Sequence, residues 1–314
     1  MFICVYLRFI FLFVISTMML SLSLSAAPVP PLPPQRAAVE AALVMEPLPE
    51  NKPLHVVLLA PAKDHGPAGN GLHDYPLWQE RWALLMGGRT ASAATQVNLH
   101  GDPVADERIF EGAPGVTIDR AHQWPDDEQF SKADVIVAYG YLKWNEARKQ
   151  QVARFLERGG GLVLIHSATW TFPKPDAAVA ALVGIGGFTK YRIGSVTVKL
   201  TAPDHPIARG LPRSLILEDE SYGWVEPAID PAQTTLLAVS HETHPDLPAE
   251  IQAQPVFWIH HSGKGRVFGC VPGHRVWTFD NPWFRLWLLR GIAWSAGGSP
   301  YRFDALAPRG VPFQ

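Results

Sequence analysis

Histidine is the chemistry-bearing residue in excess here: 12 His stand against 2 Cys. Several sit beside carboxylates directly after apolar runs. Lys63-Asp64-His65-Gly66 and His73-Asp74-Tyr75-Pro76 follow His55 to Pro61, and His166-Ser167-Ala168-Thr169-Trp170 follows Leu162 to Ile165. Pro272-Gly273-His274-Arg275 follows Arg266 to Val271, and Glu218-Asp219-Glu220-Ser221-Tyr222 closes a further apolar stretch. Imidazoles that titrate near neutrality beside carboxylates suit general acid–base chemistry. His166 is the most pointed of them, because a buried strand running straight into a turn is where α/β enzymes present catalytic groups. Plainer readings stand beside these. His65 and His73 also fit solvated loop positions, Asp74 a cap for the helix opening at Pro76, and Glu218 to Glu220 a solvated turn. The glycines between His65 and His73 match no nucleotide fingerprint, so no nucleotide cofactor is expected.

These residues need elements to carry them. His55 to Pro61, Asp134 to Tyr139 and Leu162 to His166 read as buried strands. Pro76 opens a helix with Trp78, Trp82 and Leu85 on one face. A second helix runs from about Asn145 to Arg158, stopped by Gly159-Gly160-Gly161. Continuous apolar strands alternating with helices predict a mostly parallel sheet covered on both faces. Ser195 to Leu200, Thr234 to Val239, Val256 to His260 and Arg266 to Val271 are closely spaced and predict an antiparallel extension. Asn281 to Trp294 is an apolar, Trp-rich helix that suits either core or a homo-oligomer interface. In such folds ligands bind beyond the carboxyl ends of the strands, where the His and carboxylate segments fall.

Composition narrows the function classes. A formal net charge of −2 gives no footprint for nucleic acid. A 47% hydrophobic share with 11 Trp excludes disorder. Met1 to Ala26 has one basic residue, an apolar run and small residues at its end, which predicts a secretory signal peptide and an exported protein. An uncleaved signal anchor is the rival, and with cleavage no stable membrane insertion is expected. Repeated prolines make 27–53 an extended tether. The domain itself is expected over 54–297, with 298–314 as a C-terminal tail. Cys4 is lost with the signal, and Cys270 reads as a small hydrophobe in a core strand.

Gly160-Gly161-Leu162-Val163-Leu164-Ile165-His166-Ser167-Ala168 resembles the central motif of the ThuA-like (trehalose utilisation) family. Asp204-His205-Pro206-Ile207 before Gly210-Leu211, Asp219-Glu220-Ser221-Tyr222, and Gly263-Lys264-Gly265-Arg266-Val267-Phe268 running to Gly273-His274 extend the likeness. The Lys63–Gly66 and His73–Pro76 segments resemble a branch frequent in secreted proteins. The resemblance implies an α/β fold like the class I glutamine amidotransferases, a flavodoxin-like three-layer sandwich with a mostly parallel central sheet and an antiparallel extension. In that superfamily the turn after this strand normally holds a nucleophilic Cys. Here it holds His166, so thiol-dependent glutamine hydrolysis is not expected.

The resemblance further implies a small-molecule sugar substrate and a step on oxidised, 3-keto glycosides or disaccharides: cleavage, hydration or isomerisation, catalysed by a hydrolase, lyase or isomerase. A 3-keto group acidifies the C2 proton, so a base can remove it and let the C1 substituent leave. His166 or His274 suits the base, and Glu220 or Asp74 the acid. His65 and His73, with a ligand from another loop, are candidates for a divalent metal. Lys63, Trp170 and Tyr222 are candidate substrate contacts, the aromatics by stacking on a pyranose face. The alternative is a carbohydrate-binding or sensing module that kept the fold without converging acid and base.

Overall fold

The computed structural model describes residues 28–45, 52–88, 96–106, 111–225, 232–243 and 252–314. The predicted signal segment lies outside them. Among the described residues no helix is long and apolar enough to cross a membrane.

The strands in chain order are β1 (Leu54–Ala60), β2 (Val116–His122), β3 (Val135–Tyr139), β4 (Gly161–Ile165), β5 (Phe188–Leu200), β6 (Ser214–Val225), β7 (Thr234–Glu242), β8 (Gln252–Ser262) and β9 (Gly265–Cys270). They form one mixed sheet of nine strands, ordered β2-β1-β3-β4-β9-β8-β7-β5-β6. From β2 to β9 neighbours run parallel, and from β9 to β6 antiparallel. Every residue of β3 and β4 is buried, as strands covered on both faces require. Helices α2 (Tyr75–Gly87) and α6 (Pro282–Ser295) share one core with Val56 and Leu58. Helices α4 (Glu146–Glu157) and α5 (Ala177–Val183) share another with Val57 and Leu59 on the opposite face. The helix predicted from Asn145 is α4, where Asn145 caps Arg148 N at 2.9 Å. Two short helices, α1 (Arg36–Glu40) and α3 (Asp127–Lys132), complete the set.

Two strands differ from expectation. Val116–His122 alternates too irregularly to read as a strand, yet it forms the parallel edge beside β1. The acidic stretch Glu218 to Glu220 is mid-strand in β6, not a solvated turn. It pairs with β5 from Lys199↔Ser214 to Phe188↔Val225, and Asp219 and Glu220 are both buried.

The helix α1 within the segment read as an extended tether, and the C-terminal residues, pack on the domain. Val39 and Ala42 are buried near one end of the chain, and Phe303, Leu306 and Val311 near the other. The reason is Arg290 of α6, fully buried. It pairs with both Asp304 oxygens, at 3.0 and 2.8 Å, and donates to the carbonyls of Ala42 at 2.8 Å and Ile207 at 3.2 Å, and to that of Arg209. Removing one partner of a buried ion pair strands the other's charge. Arg290→Met is therefore expected to lower stability by about 3–5 kcal/mol, read from the denaturant midpoint. Arg290→Met with Asp304→Leu should recover much of that loss, and an unchanged midpoint in the single variant would exclude this anchor.

Candidate functional site

The site begins where β4 ends. Ile165 pairs with Cys270 across the parallel β4–β9 ladder, so the two strands stop at the same level. The chain then enters a 3-10 turn at His166–Thr169 without a spacer. His166 takes φ +53°, a left-handed backbone uncommon outside glycine. Facing it, Gly273 has φ +141°, and a Cβ there would fall 2.9 Å from His166 Cβ. His73, before α2, also has positive φ, at +45°. Strained backbone held by its surroundings clusters at functional sites.

Four buried side chains meet at this point: His73, His166, Glu220 and His274. His73 Nε2 lies 2.9 Å from His166 Nε2 and 3.0 Å from His274 Nδ1. Glu220 Oε2 lies 3.3 Å from His166 Nε2 and 3.5 Å from His274 Nδ1. The outer nitrogens set the tautomers. His166 Nδ1 is 2.7 Å from the Val271 carbonyl, which only accepts, so Nδ1 carries the proton. His73 Nδ1 is 2.9 Å from Asp64 Oδ1, with the same consequence. Both Nε2 atoms therefore present lone pairs to one another. Tyr222 OH approaches His166 Nε2 at 3.1 Å, its ring stacked on the imidazole. Tyr75 OH joins the outer shell, 2.8 Å from Ser167 Oγ and 3.1 Å from Asp64 Oδ2.

Burial, then the neighbouring His73 and His274, hold the His166 imidazole well below its usual range. Burial, then His73, brings His274 down to about 3. Both are neutral donors at physiological pH. Burial, then Asp219, pushes the Glu220 carboxyl up to about 8. Burial pushes Asp64 upward as well, but the hydrogen bond and charge of His73 outweigh it and leave the carboxyl below its ordinary value. The lone pairs of His73 and His166, the Nδ1 of His274 and the Glu220 carboxyl converge on a point and form a donor set that could take a divalent metal. Nε2 atoms that face one another as acceptors are stable only with a cation or proton between them. The residues fit the ion on that ground. The Asp64–His73 bond is the outer-shell arrangement that orients a ligating imidazole.

Not all of the candidate residues take the position expected of them. His166, His274, Glu220 and His73 come together. His65 stands alongside, its ring centroid 4.9 Å from His73 and 5.4 Å from His274. It is exposed, and it groups with Asp64 and His73 rather than with the buried four. Asp74 stays outside the cluster. It caps α2, accepting from Leu77 N at 3.4 Å and Gly69 N at 3.5 Å. Lys63 donates to the Leu72 carbonyl, and burial lowers its amine. Tyr222 stacks on His166, and Trp170 packs edge-on against Tyr222 at 4.8 Å.

Asp64, Tyr75 and Asp219 stand next to the predicted residues in sequence, and each holds one of them or its turn in place. Asp219 is fully buried and accepts from Glu220 N at 2.7 Å, His274 N at 2.9 Å and Gly273 N at 3.0 Å. Only the assembled turn reveals that role. Cys270 is buried in β9, and burial raises its thiol far above its usual range. A cavity of about 150 Å³ elsewhere, among Pro30, Pro33, His100 and Trp277, has no comparable set of converging donors.

The family model for ThuA, trehalose utilisation, matches residues 90–295. Curated proteins offer no match to this sequence. Among solved structures, a ThuA-like protein from Bacteroides uniformis ATCC 8492 superposes with a TM-score of 0.55 at 16% identity, covering 82% of this chain and 99% of that one. A ThuA-like protein from Parabacteroides merdae ATCC 43184 gives 0.51 at 16% identity, covering 79% and 92%. At that identity the likeness speaks for the fold alone.

Asp64→Asn keeps the shape but removes the charge that fixes His73. Metal affinity, measured by competition with a chromophoric chelator, is expected to fall about 10- to 100-fold. An unchanged affinity would show that His73 does not ligate through Nε2.

Proposed function

This chain belongs to the ThuA family of trehalose utilisation, which gives it a role in sugar metabolism, and we propose that it is an exported, metal-assisted enzyme acting on 3-keto glycosides. One observation carries the reading: the Nε2 atoms of His73 and His166, Nδ1 of His274 and a Glu220 oxygen lie within 4.8 Å of one another. A binding module needs no such convergence of buried donors.

His73, His166, Glu220 and His274 would hold a divalent metal, which would supply Lewis-acid chemistry to the substrate carbonyl. The chain's own residues do the rest. Because the four are committed as ligands, the base that takes the C2 proton is His65, exposed beside them, and not His166 or His274. The electron pair left at C2 forms a C1=C2 double bond as the C1–O bond breaks, and the departing oxygen takes up a proton. Tyr141 is the donor of this reading. Its phenol, pushed up to about 12 by burial first and then by Asp64 and Glu220, keeps its proton at neutral pH. Tyr222, stacked on His166 and backed by Trp170, keeps water from that face of the imidazole.

A 3-keto glucoside with a chromogenic aglycone tests this. The purified protein should release the aglycone, lose the activity to EDTA and regain it with Mn(II), Zn(II) or Mg(II). His166→Ala and Glu220→Gln should lose bound metal and activity together. His65→Ala should keep its metal and still fall about 10²- to 10⁴-fold, the usual worth of a general base. Turnover that survives His166→Ala would sink the proposal. Export is tested by the mass of the secreted chain, which should lack Met1–Ala26.

The same site has a pH signature. A carboxyl pushed up to about 8 holds its proton below that pH in the metal-free chain, and an ion must displace it. Apparent metal affinity should therefore decline as pH drops from 8 to 6, with a proton released per ion bound. His274, already neutral there, adds nothing to the slope. Calorimetry in buffers of different ionisation enthalpy counts that proton, and a flat affinity across the range would contradict the assignment of Glu220.

A further inference from the structure

His73 engages both of its ring nitrogens, and only one of them belongs to the central cluster. Nε2 meets His166 and His274, while Nδ1, on the other edge of the ring, lies 2.9 Å from Asp64 Oδ1. Asp64, His65 and His73 make a second group whose ligating atoms lie within 4.8 Å of one another, with His73 the member shared with the buried four. Asp64 and His65 are exposed, so this group faces solvent where the inner one does not.

The loop that carries these residues is fixed before any ligand arrives. Lys63 Nζ donates to the Leu72 carbonyl and closes the loop at its ends. Asn70 Nδ2 donates to the His65 carbonyl at 2.9 Å, and Asn70 Oδ1 accepts from Leu72 N at 3.1 Å. Gly66, at φ +70°, turns the chain tightly against Asn70, since a Cβ there would fall 2.4 Å from its Nδ2. His65 is thereby held with its ring centroid 4.9 Å from that of His73. One carboxylate and two imidazoles, on a loop that loses little freedom on binding, suit Zn(II), Co(II) or Cu(II).

We propose that Asp64, His65 and His73 Nδ1 hold a second divalent ion, so that one imidazole ring bridges two metals. The ion takes the place of the Nδ1 proton: that proton passes to solvent, its electron pair becomes the nitrogen–metal bond, and nothing is oxidised or reduced. Positive charge at Nε2 eases the loss of that proton, so the inner position fills first. The outer ion also takes the His65 lone pair, and with it the base, so excess metal switches the enzyme off. The inference rests on the reading of the inner four as metal ligands, and its regulatory consequence on His65 as the base.

Cu(II), titrated into the metal-free purified protein and counted after gel filtration, tests the bridge. Wild type should retain two ions per chain. The EPR signal should grow to one equivalent and then fall toward zero at two, because spins joined through one ring couple. His65→Ala should keep the first ion and weaken the second by at least about 100-fold, the upper end of what loss of a merely supporting partner costs. Retention of two ions by His65→Ala, or an EPR signal that doubles, overturns the proposal. The two readings fail differently. If the bridge alone is wrong, wild type keeps one ion, which His166→Ala removes and His65→Ala spares. If the inner reading alone is wrong, wild type keeps one ion, which His65→Ala removes and His166→Ala spares. With the chromogenic 3-keto glucoside, Zn(II) beyond the first equivalent should lower aglycone release with the midpoint of the second binding step. Inhibition with another midpoint, or none, would remove the switch and leave the ion count standing.

Discussion

The hydrogen bond from His166 Nδ1 to the Val271 carbonyl, 2.7 Å long, decides what this centre is. A backbone carbonyl cannot donate, so the bond fixes one tautomer and turns the Nε2 lone pair inward. Asp64 does the same for His73 at 2.9 Å. With both tautomers fixed, two acceptors meet at 2.9 Å beside the Glu220 carboxyl. That arrangement carries an electrostatic deficit that a cation relieves. The bond is available only because β4 and β9 are parallel neighbours ending level, so that the residue after one strand lies beside the residue after the other.

Bringing β6 to this point needs a second device. Glu220 and Tyr222 belong to the last strand of the sheet, far from β4 in strand order. Asp219 closes the distance by accepting from the backbone of Gly273 and His274, with Thr278 as a further donor. One buried carboxylate therefore ties the strand carrying Glu220 to the turn carrying His274. Burial pushes that carboxyl up, and its hydrogen bonds pull it back. Its position also raises Glu220, so the clamp and the electrostatics of the centre are one feature.

Much of this was legible because apolar runs dominate the parallel half. β1, β3, β4, α4 and α6 have sequence patterns that only a covered sheet and its helices satisfy. His166 was legible from position alone, since nothing separates it from β4. The rest depended on tertiary partners. β6 hid because its polar residues face donors supplied by a turn more than fifty positions away in the sequence, so mid-strand Asp219 and Glu220 look like a turn. For Asp74 the plainer reading describes what the side chain does, and it caps α2. The pairing of His65 with His73 came from their shared loop. Yet His73 turns inward to the buried donors while His65 stays in solvent, a difference set by the Asp64 bond and the positive φ of His73.

The elbow after β4 explains why an imidazole suits this position. A strained strand-to-turn junction projects its side chain away from the sheet, and in a thiol enzyme that presents a nucleophile to substrate. Cys270, the one described cysteine, is instead locked in β9 with its sulfur 3.6 Å from the Pro272 carbonyl. His166 at the elbow is caught by Val271 on one side and stacked by Tyr222 on the other. The strain that would expose a nucleophile here aims a lone pair at a point shared with His73, His274 and Glu220. Gly273 makes the approach sterically feasible, since a Cβ at that position would press on His166. An imidazole at this junction, with a glycine opposite, thus makes the end of β4 the point where four polar side chains converge.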